Sequence, residues 1–153
     1  MKYSIKTYRV TYVSDSDDPN FPGKDLSLNA AESVANVGRA IFATLDADRE
    51  HFVVLFLNTK HRLKGMKVLH SGSISGAHVS VREVIKSALL VSASAIICLH
   101  NHPSGVVTPS VMDMSITKEI HQACTLLDTP LLDHVILGAG KYYSMREKED
   151  IWR

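Results

Sequence analysis

The sequence has few cysteines and no long apolar run. Its two cysteines, Cys98 and Cys124, lie in apolar surroundings and form neither a Cys-x-x-Cys pair nor the dense pattern of a small secreted domain. We therefore expect reduced core thiols in a cytoplasmic protein. The first ten residues lack the apolar core of an export signal, and residues 88–99, the longest apolar-rich run, are interrupted by serine and too short to span a bilayer. These absences predict no association with a membrane.

The sequence also lacks an excess of charge of one sign. Seventeen Lys and Arg stand against sixteen Asp and Glu, for a formal net charge of +1, and the basic residues are scattered. Nucleic-acid binders neutralise phosphates with clustered Lys and Arg, so DNA is a conceivable partner that the charge does not support. The 153 residues, 45% hydrophobic and 22% charged, predict one folded globular domain.

A change of pattern near residue 29 divides the chain. Residues 8–23 pass from strand-like alternation into a loop dense in turn formers. From Asn29 onward, apolar residues recur at helical spacing, and Asn29-x-x-Glu32 is typical of a capping box. We therefore predict an extension of strand and loop over residues 1–28 and one domain over residues 29–153.

Predicted helices and strands alternate along the main body. We expect helices from residue 29 to about 46–49, over 81–91 and over 108–127, and strands over 52–57, 63–70, 95–99, 131–137 and 141–145. The first two strands flank a short turn and predict a hairpin. This alternation is typical of a layered α/β domain, and the hairpin predicts a mixed sheet.

Two histidines follow the strand predicted over residues 95–99. In extended backbone, residues i and i+2 project to the same side, so His100 and His102 can aim their rings at one point. A Pro/Gly-rich turn then leads to Asp113, in the first turn of the next helix, which can supply a carboxylate oxygen. Two imidazoles and a carboxylate, with a fourth position open to water, are typical of catalytic zinc, which lowers the pKa of that water to about 7.

A zinc-bound water needs a proton acceptor, commonly a carboxylate that does not bind the metal. Glu50 lies between the first predicted helix and the following strand, but spacing alone does not distinguish it from Glu32 or Glu83. Ser110 also has two interpretations from the residues, because Ser-x-x-Asp before an apolar helix is a helix N-cap signal as well.

The string His100-x-His102-x7-Ser110-x2-Asp113 resembles the JAMM signature of MPN/JAB-type metalloprotease domains. HNHPSG followed by TPS is similar to the RadC branch of that family. The similarity extends over roughly residues 30–145, through residues 50–58, 72–75, 82–89 and 132–138. It implies a three-layer α/β/α fold with a mixed sheet, similar in layout to cytidine deaminases, and a metal at the edge of the sheet.

Carried over to this chain, the resemblance implies that His100, His102 and Asp113 bind zinc. It implies that Glu50 is the general base and that Ser110 stabilises the oxyanion. The implied reaction is hydrolysis of an amide or isopeptide bond by zinc-activated water, with a peptide or protein as substrate.

The chain departs from the family pattern in two places. Residues 79–83 read VSVRE where RadC-like chains usually read VHPRE, and the chain has no room for the helix-hairpin-helix domain of longer RadC proteins, so we expect the short stand-alone form.

An alternative function is a DNA-repair or recombination accessory whose metal site serves recognition. Nucleobase deamination is disfavoured, because deaminases combine an HxE motif with PCxxC. This chain instead has His100-x-His102 with Asp113 and no such cysteine pair. Among the other histidines, His134 is the candidate for orienting a metal ligand, and the oligomeric state is left open.

Overall fold

The computed structural model describes residues 26–72 and 79–152. The strand and loop predicted over residues 8–23 lie outside the described residues. In chain order, the described elements are α1 (Ala31–Phe42), β1 (Glu50–Leu57), β2 (Leu63–Gly72), α2 (Val81–Leu90), β3 (Ala95–Asn101), α3 (Val111–Leu126), β4 (Leu131–Gly138), β5 (Lys141–Ser144), α4 (Met145–Lys148) and a 3₁₀ turn, Asp150–Trp152. Among these elements, no helix is both long and apolar enough to cross a membrane.

The five described strands form one mixed sheet in the order β2-β1-β3-β4-β5. β1 pairs antiparallel with β2, as the predicted hairpin requires, and antiparallel with β3. β3 and β4 run parallel, because α3 carries the chain back across the sheet between them. β5 then turns back antiparallel to β4. The predicted mixed sheet is therefore confirmed.

Helices cover both faces of this sheet. Successive residues of β1 point to opposite faces, so Val53 and Val54 enter different buried clusters. Val53 lies in one cluster with Val37 of α1, whereas Val54 lies in the other with Val84 of α2 and Ile120 of α3. Burial of each such side chain contributes about 1.5–3 kcal/mol. The three-layer α/β/α architecture is therefore confirmed.

The start of α1 differs from the prediction. The N-cap is Ala30, and no side chain caps the helix. Asn29 instead donates from Nδ2 to Ser27 Oγ at 2.6 Å, and its Oδ1 lies 3.1 Å from His61 Nδ1. The predicted capping box is wrong because a contact with the β1–β2 turn engages the asparagine.

The end of α1 also comes earlier than predicted, at Phe42. The Thr44 hydroxyl donates to the Ile41 carbonyl at 2.7 Å, which satisfies one of the last carbonyls of the helix. The His51 ring contacts the Asp46 carbonyl at 2.7 Å and so fastens the connecting turns to β1. The short α4 was not predicted; it begins where the Ser144 hydroxyl accepts from the Glu147 backbone N–H.

The cysteines provide a test of this core. Cys98 and Cys124 are free thiols, both fully buried, and burial raises the pKa of each, that of Cys124 to about 11. We expect Ellman's reagent to leave both thiols unreacted in the native protein and to label both after denaturation. The control is Ser115→Cys, on an exposed position of α3, which should react at once. Rapid labelling of the parent protein would contradict this core.

Candidate metal centre

One end of the sheet gathers the predicted site residues. β1 and β3 are antiparallel, and Phe52 is opposite His100. Two residues before Phe52 and two residues after His100, the same register places Glu50 level with His102. The Asn101 side chain secures the end of the ladder: its Oδ1 accepts from the His51 N–H at 2.6 Å, and its Nδ2 donates to the Arg49 carbonyl at 2.9 Å. Asn101 therefore holds the backbone on both sides of Glu50, a role that sequence reasoning missed.

Two imidazoles and a carboxylate converge there. The rings of His100 and His102 lie almost perpendicular, with centroids 4.6 Å apart. Glu50, His100 and His102 each offer one ligand atom, and these three atoms all lie within 4.8 Å of one another. The family resemblance implies Glu50 as the general base beside a metal, and the structure brings Glu50 into the same cluster as the histidines.

Asp113 lies against both rings. Its Oδ1 is 3.2 Å from His100 Nδ1, and its Oδ2 is 3.6 Å from His102 Nε2. Burial by itself raises the pKa of this carboxyl, but His100, His102 and Ser110 outweigh burial and hold the pKa well below its usual range. Asp113 is therefore an anion beside the histidines, with Oδ1 directed toward His100.

Ser110 is the N-cap of α3. Its hydroxyl accepts from the Asp113 N–H at 3.1 Å and donates to Asp113 Oδ2 at 2.7 Å, while the Ser110 N–H donates to the same oxygen at 2.7 Å. This is the reciprocal capping box that was the alternative interpretation of the Ser-x-x-Asp pattern. The oxyanion role of Ser110 stays a prediction, since its single hydroxyl proton is directed to Asp113 here.

The two histidines differ in their hydrogen bonds. His102 Nδ1–H donates to the Val106 carbonyl at 2.5 Å, so Nε2 is the nitrogen that faces Asp113. Asp113 raises the pKa of His102, the Val106 carbonyl adds to this shift, and burial opposes it. His100 is only 1% exposed, yet neither of its ring nitrogens has a hydrogen-bond partner, because its contact with Asp113 is poorly aligned.

The unpaired ring nitrogens of His100 indicate whether these residues fit a metal ion. An unpaired buried polar group costs about 1–3 kcal/mol, and a metal bound to one His100 nitrogen would satisfy it. Imidazole nitrogen and carboxylate oxygen are ligands that zinc accepts. The residues therefore fit a metal ion.

His134 lies behind His100, on β4. Its ring is fully buried, its Nδ1 is 2.6 Å from the Thr117 hydroxyl, and its Nε2 has no partner. Burial lowers the pKa of His134 to about 3, so the ring is neutral at pH 7. Its centroid is 6.1 Å from that of His100.

The turn after His102 is packed tightly against the end of β4. The His102 N–H donates to the Leu137 carbonyl at 2.8 Å. A Cβ on Gly138 would come within 2.9 Å of the Gly105 carbonyl carbon, and Gly105 itself has a φ of +81°, which favours glycine. Glycine at both positions therefore allows the close backbone approach that holds this turn.

A polar cleft of about 500 Å³ opens beside the site. Residues from the start of β1, the end of β2 and the turn after His102 line it: Asp48, Arg49, Glu50, Gly72, Pro103 and Ser104. Glu50 thus belongs both to the ligand-atom cluster and to the cleft wall, which gives a bound molecule access to the centre.

The layered fold and the histidine pair at the end of β3 place the protein in the class of JAB domains. Within that class, the chain belongs to the RadC-like JAB family, whose profile matches residues 28–150. The family resemblance found in the sequence is therefore confirmed.

Relatives named UPF0758 protein support this assignment. The chain is 47% identical over 118 residues to one from Acidithiobacillus ferrooxidans, covering 76% of this chain and 53% of the relative. It is 44% identical over 120 residues to one from Shouchella clausii, covering 78% and 50%, respectively. The chain therefore spans about half the length of the curated relatives it matches.

The capping box yields a stability prediction. Ser110→Ala removes the hydroxyl that caps α3, so we expect a loss of about 1 kcal/mol in the free energy of unfolding, measured in urea without added metal. Ser110→Thr should keep most of this stability. Ser115→Ala, on an exposed position of the same helix, should change it by less than about 0.5 kcal/mol. Equal stability of Ser110→Ala and the parent would contradict the capping role.

Proposed function

We propose that this protein is a zinc-dependent hydrolase that cleaves an amide or isopeptide bond in a peptide or protein. The observation that carries the proposal is the juxtaposition of the His100 and His102 ligand atoms with the Glu50 carboxylate at the wall of an open polar cleft. The buried His100 ring, with no hydrogen-bond partner, supports a bound cation at the same place.

In this proposal, His100, His102 and Asp113 hold the metal. His102 presents Nε2, since its Nδ1–H is engaged by Val106. Asp113 presents Oδ1, since its Oδ2 accepts two hydrogen bonds from Ser110. Bound zinc supplies a lowered pKa for water and polarises the carbonyl of the scissile bond.

Glu50 moves the proton. Its carboxylate lies at the cleft wall next to the histidine ligand atoms, and a carboxylate oxygen there takes a proton from the attacking water and returns it to the leaving nitrogen. The cleft opens to solvent and is lined by Asp48, Arg49, Glu50 and Ser104 among others, which suits a polar peptide better than a small apolar ligand.

Zinc binding is the first test. We expect the purified chain to hold about one equivalent of Zn²⁺ by elemental analysis. His102→Ala and Asp113→Ala should each lose most of it, because each variant removes a ligand. The matched control, His61→Asn, removes an imidazole at the opposite end of β1 and suits the left-handed backbone there (φ 53°); it should keep its zinc. Full zinc content in His102→Ala would contradict the ligand assignment.

Glu50→Gln tests whether Glu50 acts as the general base or as a metal ligand. We expect it to keep zinc affinity within a few-fold of the parent and to lose roughly a hundredfold or more of the hydrolysis rate, since the amide cannot take a proton. The measurement is cleavage of an internally quenched peptide library, followed by fluorescence and mass spectrometry. Glu32→Gln, the same change at an exposed position of α1 outside the cleft, is the matched control and should keep activity.

Two outcomes would contradict this scheme. A tenfold or greater loss of zinc affinity in Glu50→Gln would make Glu50 a ligand rather than the base. Salt-sensitive retention of the zinc-loaded chain on immobilised DNA, without cleavage of any peptide or isopeptide substrate, would favour the DNA-repair accessory instead.

A further inference from the structure

Two neighbouring buried rings hold three nitrogen atoms without hydrogen-bond partners. They are both ring nitrogens of His100 and Nε2 of His134. The two residues occupy adjacent strands: Cys98 is opposite His134 in the parallel ladder, so His100 lies two residues further along on the same face. Their ring planes are inclined by 25°, and their exposed fractions are 1% and 0%. Bulk solvent therefore does not contact these nitrogens.

The hydrogen bonds of Thr117 determine which nitrogen of His134 carries the proton. The Thr117 hydroxyl has one proton, and it donates this proton to the Asp113 carbonyl at 2.5 Å; Met145 Sδ, at 3.5 Å, is a weaker acceptor. The hydroxyl oxygen therefore accepts from Nδ1–H of His134 at 2.6 Å. In the neutral ring, Nε2 is then an acceptor that lacks a donor.

A histidine that binds a metal needs a hydrogen-bond acceptor for its other ring nitrogen. It gives one nitrogen to the metal and carries a proton on the other, and an acceptor for that N–H fixes the tautomer and the ring orientation. For His102, the acceptor is the Val106 carbonyl. For His100, the contact with Asp113 Oδ1 is too poorly aligned to serve.

We propose that His134 is a positioning residue for His100: one buried water accepts the N–H of His100 and donates to Nε2 of His134, while the other His100 nitrogen binds the metal. This arrangement gives each of the three unpaired nitrogens a partner. It rests on the proposed metal site and extends it to a chain of contacts from the Asp113 carbonyl through Thr117 and His134 to His100. His134 touches neither the substrate nor the metal in this role.

Two substitutions of His134 test the roles of its two ring nitrogens separately. In His134→Asn, the side-chain amide nitrogen replaces Nδ1 and keeps the hydrogen bond to Thr117, but the Nε2 acceptor is lost. In His134→Gln, the amide oxygen reaches the Nε2 position, but the bond to Thr117 is lost. Zinc affinity of the full chain, measured by competition with a chromogenic chelator, and urea unfolding of the metal-free chain are the two readouts.

We expect His134→Asn to weaken zinc binding about 10–100-fold while the metal-free protein still unfolds cooperatively near the parent midpoint. His134→Gln should retain zinc affinity better than His134→Asn, although its metal-free form is less stable. A purely structural role predicts the same order of stability, because only His134→Gln loses the bond to Thr117, but it predicts no change in zinc affinity for either variant.

A second pair of variants covers the case in which His134→Asn does not fold. Thr117→Val removes the oxygen that holds Nδ1–H, and Thr117→Ser keeps it. Zinc affinity should fall in Thr117→Val and persist in Thr117→Ser. If the parent binds zinc and His134→Asn or Thr117→Val binds it equally well, the positioning role is overturned and the proposed function stands. If the parent binds no zinc, the proposed function is overturned, and this inference with it.

Discussion

The antiparallel ladder between β1 and β3 is the constraint on which the centre depends. The opposition of Phe52 and His100 determines where Glu50 stands relative to His102, and a slip of one residue would turn the Glu50 side chain to the other face. Nearly every residue of both strands is buried, so such a slip would also move side chains of one buried cluster into the space of the other. The Asn101 side chain adds two hydrogen bonds at the open end of this ladder, where strands otherwise fray. The same burial that stabilises the sheet therefore sets the position of the Glu50 carboxylate.

The first turn of α3 combines helix capping with the chemistry of the site. Asp113 accepts two hydrogen bonds on Oδ2 and directs Oδ1 toward His100, so the two carboxylate oxygens have separate tasks. The helix N-terminus also favours a negative charge at this position. Folding of α3 thus orients the carboxylate before any ion arrives, which reduces the ordering that binding would require.

Much of the fold and part of the site could be predicted from the sequence. Continuous apolar runs gave β1 and β3, and helical periodicity gave α2 and α3, because these patterns reflect burial that the final structure retains. The cap of α1 could not be predicted, since Asn29 contacts residues of a distant turn. The proximity of His100, His102 and Asp113 follows from local geometry. Glu50 required the family resemblance, because strand register cannot be derived from spacing, and the contact between Thr117 and His134 arises only when α3 packs on β4.

The close approach of Gly105 and Gly138 couples the turn after His102 to the end of β4 through their backbones. The turn that carries His102 rests on the backbone at the end of β4, with no room for a methyl group between them. Enlarging residue 138 would push this turn outward and move the His102 imidazole relative to Glu50 and His100. A substitution at position 138 can therefore change the geometry of this cluster while its three side chains stay the same.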